Sequence, residues 1–387
     1  MLIGIIGTPN KGKSSLFSAL TMLDVKIANH PFTTIDPNKG IAYLTKECIE
    51  KELKVKCNAR NSLCINGIRY IPINLIDVAG LVEGASNGKG MGNQFLNDLI
   101  GCDAFIIVVD ASGRTDQEGN FSQDNYNPTK DANIVLAELV KWFSGIILKH
   151  KKTYKNNIDA FYEMLGGFKI QKEFIKEIID RNSLSKNMDW SEKEIDKFSL
   201  QILKKSKPFV IAANKWDVNQ NNLENNIRDL KNEFGEGNVF ECSAVIELAL
   251  KKADKQGIIK YNENSFEIAN NKISDEQKEA LNFIKTFLKT KKTNVQRLIN
   301  ELVFRILDNI IAYPVEDENK YTDHFGNVLP DAILIKNGTS AVGLAEIIHS
   351  ELAKSMLYAI NAKTKIKISK NYLLKDNDVI KIVSTAK

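Results

Sequence analysis

The chain is poor in the residues that staple or ligate. Its 387 residues include five cysteines, an odd number, and four histidines. The cysteines are scattered without paired spacing, which argues against a disulfide framework and makes a reducing cytosol the expected setting. Cys57 and Cys64 stand seven apart with no histidine close by in sequence. Structural zinc usually takes tighter pairs, so no metal site is expected from that spacing. Long hydrophobic runs are also missing, and no stretch would span a bilayer. The apolar N-terminus lacks a basic leader and a small-residue cleavage site. Neither a signal peptide nor a membrane partner is therefore expected. No internal repeat or low-complexity tract interrupts the chain. An excess of either charge is small as well. The net charge of +5 permits an acidic partner such as RNA without requiring one. What remains, 43% hydrophobic and 26% charged residues, is ordinary for a globular protein, and the length implies two to three domains.

One feature organises the rest. Gly7-Thr8-Pro9-Asn10-Lys11-Gly12-Lys13-Ser14 matches G-x-x-x-x-G-K-[ST]. It follows the apolar run Leu2–Ile6 and precedes Ser14–Leu20, which reads as a helix. Strand, glycine loop and helix form the context a P-loop requires. Gly7 and Gly12 permit backbone angles that side chains forbid, so successive N–H groups can turn inward as an anion nest. The helix N-terminus adds partial positive charge. The nucleotide-binding set on this loop is Gly7, Pro9, Asn10, Lys11, Gly12, Lys13, Ser14 and Ser15. Lys13 is placed to reach the β- and γ-phosphates and Ser14 to ligate Mg2+.

Five apolar runs, Leu2–Ile6, Ile73–Ile76, Ala104–Val109, Phe209–Ala213 and Asn238–Glu241, read as strands of one parallel sheet buried on both faces. Ligands of such sheets gather at the carboxyl ends of the strands. Two interruptions are too long for loops. Residues 115–205 keep a helical period and read as an inserted helical subdomain, with Ser191 and Glu194 as a capping box. Residues 246–310 also read as helical, with capping signatures at Ser274/Gln277 and Thr293/Gln296. From Ile311 the pattern changes. Short β-prone runs at Ala332–Ile335, Ile366–Ile368 and Val379–Val383 flank one helix, Val342–Leu357. Tyr313-Pro314, Gly326-Asn327 and Asn337-Gly338 supply turn chemistry to this small α+β module. The fold class is thus an α/β P-loop NTPase with a helical insertion and a C-terminal α+β domain. Its domains are expected at 1–310 and 311–387.

Further motifs lie at the strand ends. Asp77-Val78-Ala79-Gly80 ends the second sheet strand. An Asp in this position helps hold Mg2+, here through water, and the Gly80 N–H is placed for the γ-phosphate. Gly84, Gly88, Gly90 and Gly92 follow, and such a run suits a segment that tightens on a third phosphate. In Pro31–Asn38, Thr34 rather than Thr33 is the expected switch threonine on the metal. The metal set is then Ser14, Thr34 and Asp77. Asn214-Lys215-Trp216-Asp217 matches N-K-x-D. The Asp217 carboxylate can accept both the N1–H and the exocyclic amine of guanine, donors that adenine lacks at those positions. Asn214 would brace neighbouring loops, the Lys215 stem would cover the base, and Cys242-Ser243-Ala244 would offer the Ala244 N–H to the guanine carbonyl, with Ser243 beside it. The residue after Gly80 is Leu81, where Ras-like enzymes orient water with a glutamine, so hydrolysis is expected to be slow. Asn10 is either a local turn residue or the holder of a potassium ion bridging the phosphates. The catalytic set is Lys13, Thr34, Gly80 and Asn10.

In this order the motifs resemble the Obg family of translation-associated GTPases, and within it the YchF-like branch. The resemblance rests on Gly7–Ser14, Asn29–Asn38, Asp77–Leu81 and Gly88–Leu96. The stretches Gly326–Ala332, Leu344–His349 and Asp376–Ile382 look like a TGS domain, a β-grasp module. The family carries a hydrophobic residue in place of the catalytic glutamine, as Leu81 does. The resemblance implies a cytoplasmic nucleotide switch that associates with ribosomes or RNA, and a monomer is expected. Many YchF proteins end the base-reading motif in Glu and prefer ATP. Asp217 keeps the guanine form, which favours GTP and an archaeal-like subgroup. An ATPase of the same build, and an RNA- or ribosome-binding scaffold in which turnover matters little, are the alternatives.

Overall fold

The computed structural model describes residues 1–22, 38–78, 99–122, 125–168, 170–262, 265–270 and 273–385. These fall into two compact units, one from 1–22, 38–40 and 74–298, the other from 41–73 and 299–385. Among the described residues no helix is long and apolar enough to cross a membrane.

The first unit is built on a parallel sheet. β1 (Leu2–Ile6) pairs with the end of β4 (Ile68–Asp77) on one side and with β5 (Ala104–Asp110) on the other. β6 (Phe209–Asn214) and β7 (Val239–Glu241) continue it. Ile3, Ile5, Ile107, Val109 and Ile211 are wholly buried, as strands covered on both faces demand. β5 and β6 each run one residue past their apolar segments, and the register sets Asp110 opposite Asn214. Two buried polar side chains therefore meet at the carboxyl edge of the sheet.

Four helices, Thr129–Tyr154, Ile158–Gly166, Lys172–Arg181 and Glu192–Ser206, occupy the insertion between β5 and β6. Their apolar stripes meet in one core, where the rings of Phe161, Trp190 and Phe198 lie 5.0 to 5.8 Å apart. Ser191 and Glu194 form a full capping box. The segment after β7 departs from the helical expectation. Between the helices Ala244–Lys255 and Asp275–Thr290 it carries an antiparallel pair, β8 (Ile259–Asn262) and β9 (Ser265–Ile268). Ile259 packs with Leu250, Leu281 and Ile284, so β-branched alternation wins over helical period there. Ser274 and Gln277 form their box, whereas the Thr293 hydroxyl donates to Glu247 Oε2 at 2.5 Å, inside the core.

In the second unit, β10 (Asn309–Val315), β11 (Ile333–Lys336), β12 (Met356–Asn361), β13 (Ile366–Ile368) and β14 (Asp378–Ser384) form a sheet of order β11-β10-β14-β12-β13. Only the β10–β14 pair in it is parallel. Ala341, Leu344 and Ala345 of the helix Ala341–Ile348 pack on Ile310, Ala312 and Ile380, which makes a β-grasp. Tyr313-Pro314 lies inside β10 rather than in a turn. The single helix expected at Val342–Leu357 is broken at His349, whose extended backbone and ring Nδ1 cap a second short helix, Ser350–Ser355. The chain then enters β12. The unit also holds most of β2 (Lys39–Glu47), the short helix Glu50–Leu53 and β3 (Leu63–Ile65). Asn66 and Gly67, at φ 52° and 78°, turn β3 tightly into β4.

Candidate nucleotide site

The loop Gly7–Gly12 leaves β1 and enters the helix Lys13–Thr21. Gly12 sits at φ 91°, where a methyl group would come within 2.2 Å of Asn214 Nδ2, and one at Gly7 would meet the Val108 carbonyl oxygen at 2.5 Å. Both positions therefore exclude a side chain by contact as well as by backbone angle. Among the described residues no side chain caps the helix, so the N–H groups of its first turn, which includes Ser14 and Ser15, are available to an anion. Pro9 and Asn10 form the crest of the loop. Asn10 is left-handed at φ 59° and donates its amide Nδ2 to Gly119 O at 3.0 Å.

The two lysines of the loop do different things. Lys13 Nζ donates to Thr8 O at 2.8 Å and so lies across the loop. Burial lowers its pKa, against the pull of Asp77. Lys11 is wholly buried and pairs with buried Asp131 at 2.8 Å, while also donating to Thr115 O and Asp116 O at 2.9 and 2.7 Å. Thr8 Oγ1 donates to the same Asp131 carboxylate at 2.9 Å. Burial pushes Lys11 down and Asp131 up, and their mutual attraction opposes both shifts. The Lys11 ammonium is thus committed to holding the loop.

Ser14 Oγ donates to Asp77 Oδ2 at 2.9 Å, so a hydroxyl and a carboxylate from separate segments meet. Such hard oxygen donors suit Mg2+. Burial raises the Asp77 pKa, while the Ser14 hydroxyl and the Lys13 ammonium pull it back. Thr34 and Gly80, expected from the sequence to act as switch residues, lie outside the described residues, as do Leu81 and the glycines after it.

The N-K-x-D segment is tied to this loop by one side chain. Asn214 Nδ2 donates to Lys11 O at 2.9 Å, and its Oδ1 accepts the Ala244 N–H at 3.1 Å. A single buried amide thus spans the P-loop, β6 and the start of the helix Ala244–Lys255. Asp217 accepts a short hydrogen bond from Ser243 Oγ, and Ser243 caps the same helix. Lys215, left-handed at φ 64°, sends its ammonium to Asp110 Oδ2 at 2.8 Å, which leaves its stem to form a wall. Lys291 Nζ lies 3.7 Å from the Trp216 ring centroid and donates to Trp216 O at 3.1 Å, steadying the turn from beneath.

Asp110, Thr115, Tyr126 and Asp131 escaped the sequence reading. Asp110 accepts from Ser112 Oγ, Thr115 Oγ1 and Lys215 Nζ. Burial opposes its ionisation, yet these donors outweigh it and hold its pKa below the ordinary value. The available signal was its position as the first polar residue after Val108-Val109, at a strand's carboxyl end. Asp131, in the first turn of a helix, gave no signal of pairing with a residue over a hundred positions away.

Fold and site together define a P-loop nucleoside-triphosphate-binding protein. A model described as 50S ribosome-binding GTPase matches residues 2–138, one described as Obg-like GTPase YGR210-like, G4 motif-containing domain matches 212–317, and a TGS-domain model matches 325–384. The chain is 50% identical to a GTP-binding protein of Methanocaldococcus jannaschii, over the full length of both. It is 35% identical to the ribosome-binding ATPase YchF of Mycoplasma genitalium over 58% of each chain. A crystal structure of a GTP-binding protein from Pyrococcus horikoshii superposes over all of both chains with a TM-score of 0.79 at 34% identity. The chain belongs to the Obg-like GTPases, in their YchF-like branch with a C-terminal TGS domain.

Proposed function

We propose that the protein binds Mg-GTP, hydrolyses it slowly, and acts as a nucleotide switch on ribosomes in the cytoplasm. The observation that carries this reading is the Asn214 amide, which joins the P-loop carbonyl of Lys11 to the Ala244 N–H and so sets Asp217 in one cradle with Gly12. Guanine specificity follows from Asp217. Its carboxylate would accept two guanine donors, and adenine would leave that charge unpaired. The Ser243 hydroxyl that donates to Asp217 orients the carboxylate. Lys13 would turn from Thr8 O to the β- and γ-phosphates, a change between acceptors within reach of one flexible stem. Ser14 and Asp77, with Thr34, would hold Mg2+, which supplies neutralisation of the β/γ oxygens when bound. The hydrogen bond from Asn10 Nδ2 to Gly119 leaves the amide oxygen to receive K+ in place of an arginine finger. Thr34 and Gly80 would close on the third phosphate, and Leu81, which cannot bond water, would keep hydrolysis slow. Two similarities support ribosome association: the description of the model matched over 2–138, and the name of the Mycoplasma relative. That relative is named an ATPase, so ATP is the competing substrate.

Paired GTP and ATP titrations by calorimetry test the nucleotide. GTP is expected to bind at least tenfold tighter, and tighter ATP binding would overturn the role given to Asp217. Turnover measured in potassium and in sodium buffers tests Asn10, with equal rates counting against it. Co-sedimentation with ribosomes should depend on nucleotide and lose that dependence in Lys13→Ala.

A further inference from the structure

Three of the five cysteines converge in the second unit. Cys48 follows β2, Glu50 opens the helix Glu50–Leu53, Cys57 lies in the loop beyond it, and Cys64 sits in β3. One ligand atom from each of the four side chains lies within 4.8 Å of all the others. All three thiols are free, Cys48 buried and the others half-buried. Around tetrahedral zinc, bonds of about 2.3 Å place sulfurs about 3.8 Å apart, so a contraction of about 1 Å closes this group on an ion. Glu50 Oε2 accepts the Cys57 backbone N–H at 2.8 Å, which holds the carboxylate beside the sulfurs.

Arg69 supplies an independent observation. Its side chain is wholly buried, with Nη1 donating to Cys57 Sγ at 2.7 Å and Nη2 to Pro330 O at 3.2 Å. The guanidinium stands over the Tyr313 ring at 5.6 Å, and its Nε has no partner among the described residues. A buried cation requires an anion close by, and no carboxylate among the described residues pairs with it. The group it touches is a sulfur. Three thiolates and a carboxylate around a divalent cation leave net negative charge, which Arg69 offsets, and an N–H bond to a ligating sulfur is the usual outer support of such a centre.

We propose that Cys48, Glu50, Cys57 and Cys64 form a structural Zn2+ site, with Arg69 as its positioning residue. Thiolate-rich, all-protein coordination selects zinc over hard cations and leaves no open position for catalysis. Uptake would release the thiol protons to solvent. The site would order the loop between the short helix and β3, which has no regular structure of its own. That loop meets the segment before β11 through Asn58 N to Val328 O at 2.9 Å, Arg60 N to Pro330 O at 2.7 Å, and an Arg60–Asp331 ion pair at 3.1 Å. The spacing 48, 57, 64 hid the site, because its ligands lie after one strand, in a loop and in a second strand rather than in a tight pair.

The test uses the full chain, purified in reducing buffer without chelator or a histidine tag. Elemental analysis is expected to find about one zinc per chain. The chelated, reduced protein should bind one equivalent of Co2+, with a sulfur-to-cobalt charge-transfer band and the intense visible bands of a tetrahedral centre. Cys57→Ser should lose the charge-transfer intensity in part and bind Co2+ at least tenfold more weakly. Glu50→Gln, which keeps the local shape, should shift the visible bands and weaken binding with all sulfurs intact. Arg69→Lys should weaken Co2+ binding with the tetrahedral bands unchanged. The proposal is overturned by wild-type protein that carries under about a tenth of a zinc per chain and shows no charge-transfer band with Co2+. A disulfide between two of these cysteines in metal-free protein freshly purified under reducing conditions would overturn it equally.

Discussion

The nucleotide cradle and the cysteine cluster are both gathered from separate stretches of chain, yet only the first announces itself in the order of residues. A phosphate loop grips its ligand with backbone N–H groups, so it needs glycines at fixed offsets, a strand before them and a helix after. Those demands leave a contiguous word, Gly7 to Ser14. A metal asks only that four side-chain atoms meet in space. Cys48, Glu50, Cys57 and Cys64 satisfy that from a strand end, a helix start, a loop and a second strand, with irregular gaps. Motif legibility therefore follows from how much of the chemistry the backbone itself performs.

The contrast can be broken by mutation. Replacing Asp217 by Ala should have the largest effect, lowering the preference for GTP over ATP by about 10³-fold in competition titrations, since selection by unpaired polar groups reaches about 10⁴–10⁵. Lys13→Ala should weaken triphosphate binding by about 100-fold, given the strength of charge-assisted bonds, as read with a fluorescent nucleotide. The same variant should retain the zinc content of the wild type, and its loss would show that the two sites do not stand independently. Asn214→Ala should cost about 1–3 kcal/mol in denaturant unfolding, because the Lys11 carbonyl and the Ala244 N–H are both left unpaired. An effect under half of the lower figure would remove Asn214 as the brace.

The smallest effect concerns pH. Asp110 is held below its ordinary pKa by Lys215, Ser112 and Thr115 against the cost of burial. A lowered folded-state value means that its contribution is complete above the unfolded pKa of about 3.9 and is lost as pH falls through the folded one. Asp110→Asn should therefore lower the melting temperature at pH 6, by the equivalent of about 1 kcal/mol, the net worth of a typical intramolecular hydrogen bond. The gap to wild type should narrow below pH 4. A gap that stays constant into acid would assign the loss to shape rather than charge.

The parallel sheet was legible because two-sided burial requires unbroken Ile and Val, as in Leu2–Ile6 and Ala104–Val109. The helical insertion was legible because its apolar period is long and its cap at Ser191 is local. Short elements were harder. The strands Ile259–Asn262 and Ser265–Ile268 are each too short to separate alternation from helical period. Thr293 carries a cap signature, yet the buried carboxylate of Glu247 takes its hydroxyl. Nothing local marks His349 as the break between two helices, since its extended backbone serves the chain's entry into β12.

Local chemistry needs only neighbours in sequence. The phosphate loop, the N-K-x-D turn and the serine caps were written in the chain for that reason. Pairings between distant residues needed the folded molecule. Lys11 with Asp131, Asn214 with Lys11 and Ala244, and Arg69 with Cys57 each join side chains that no short-range pattern connects. Buried polar groups must find partners wherever the fold brings them, and sheet register and loop closure, rather than spacing along the chain, choose those partners.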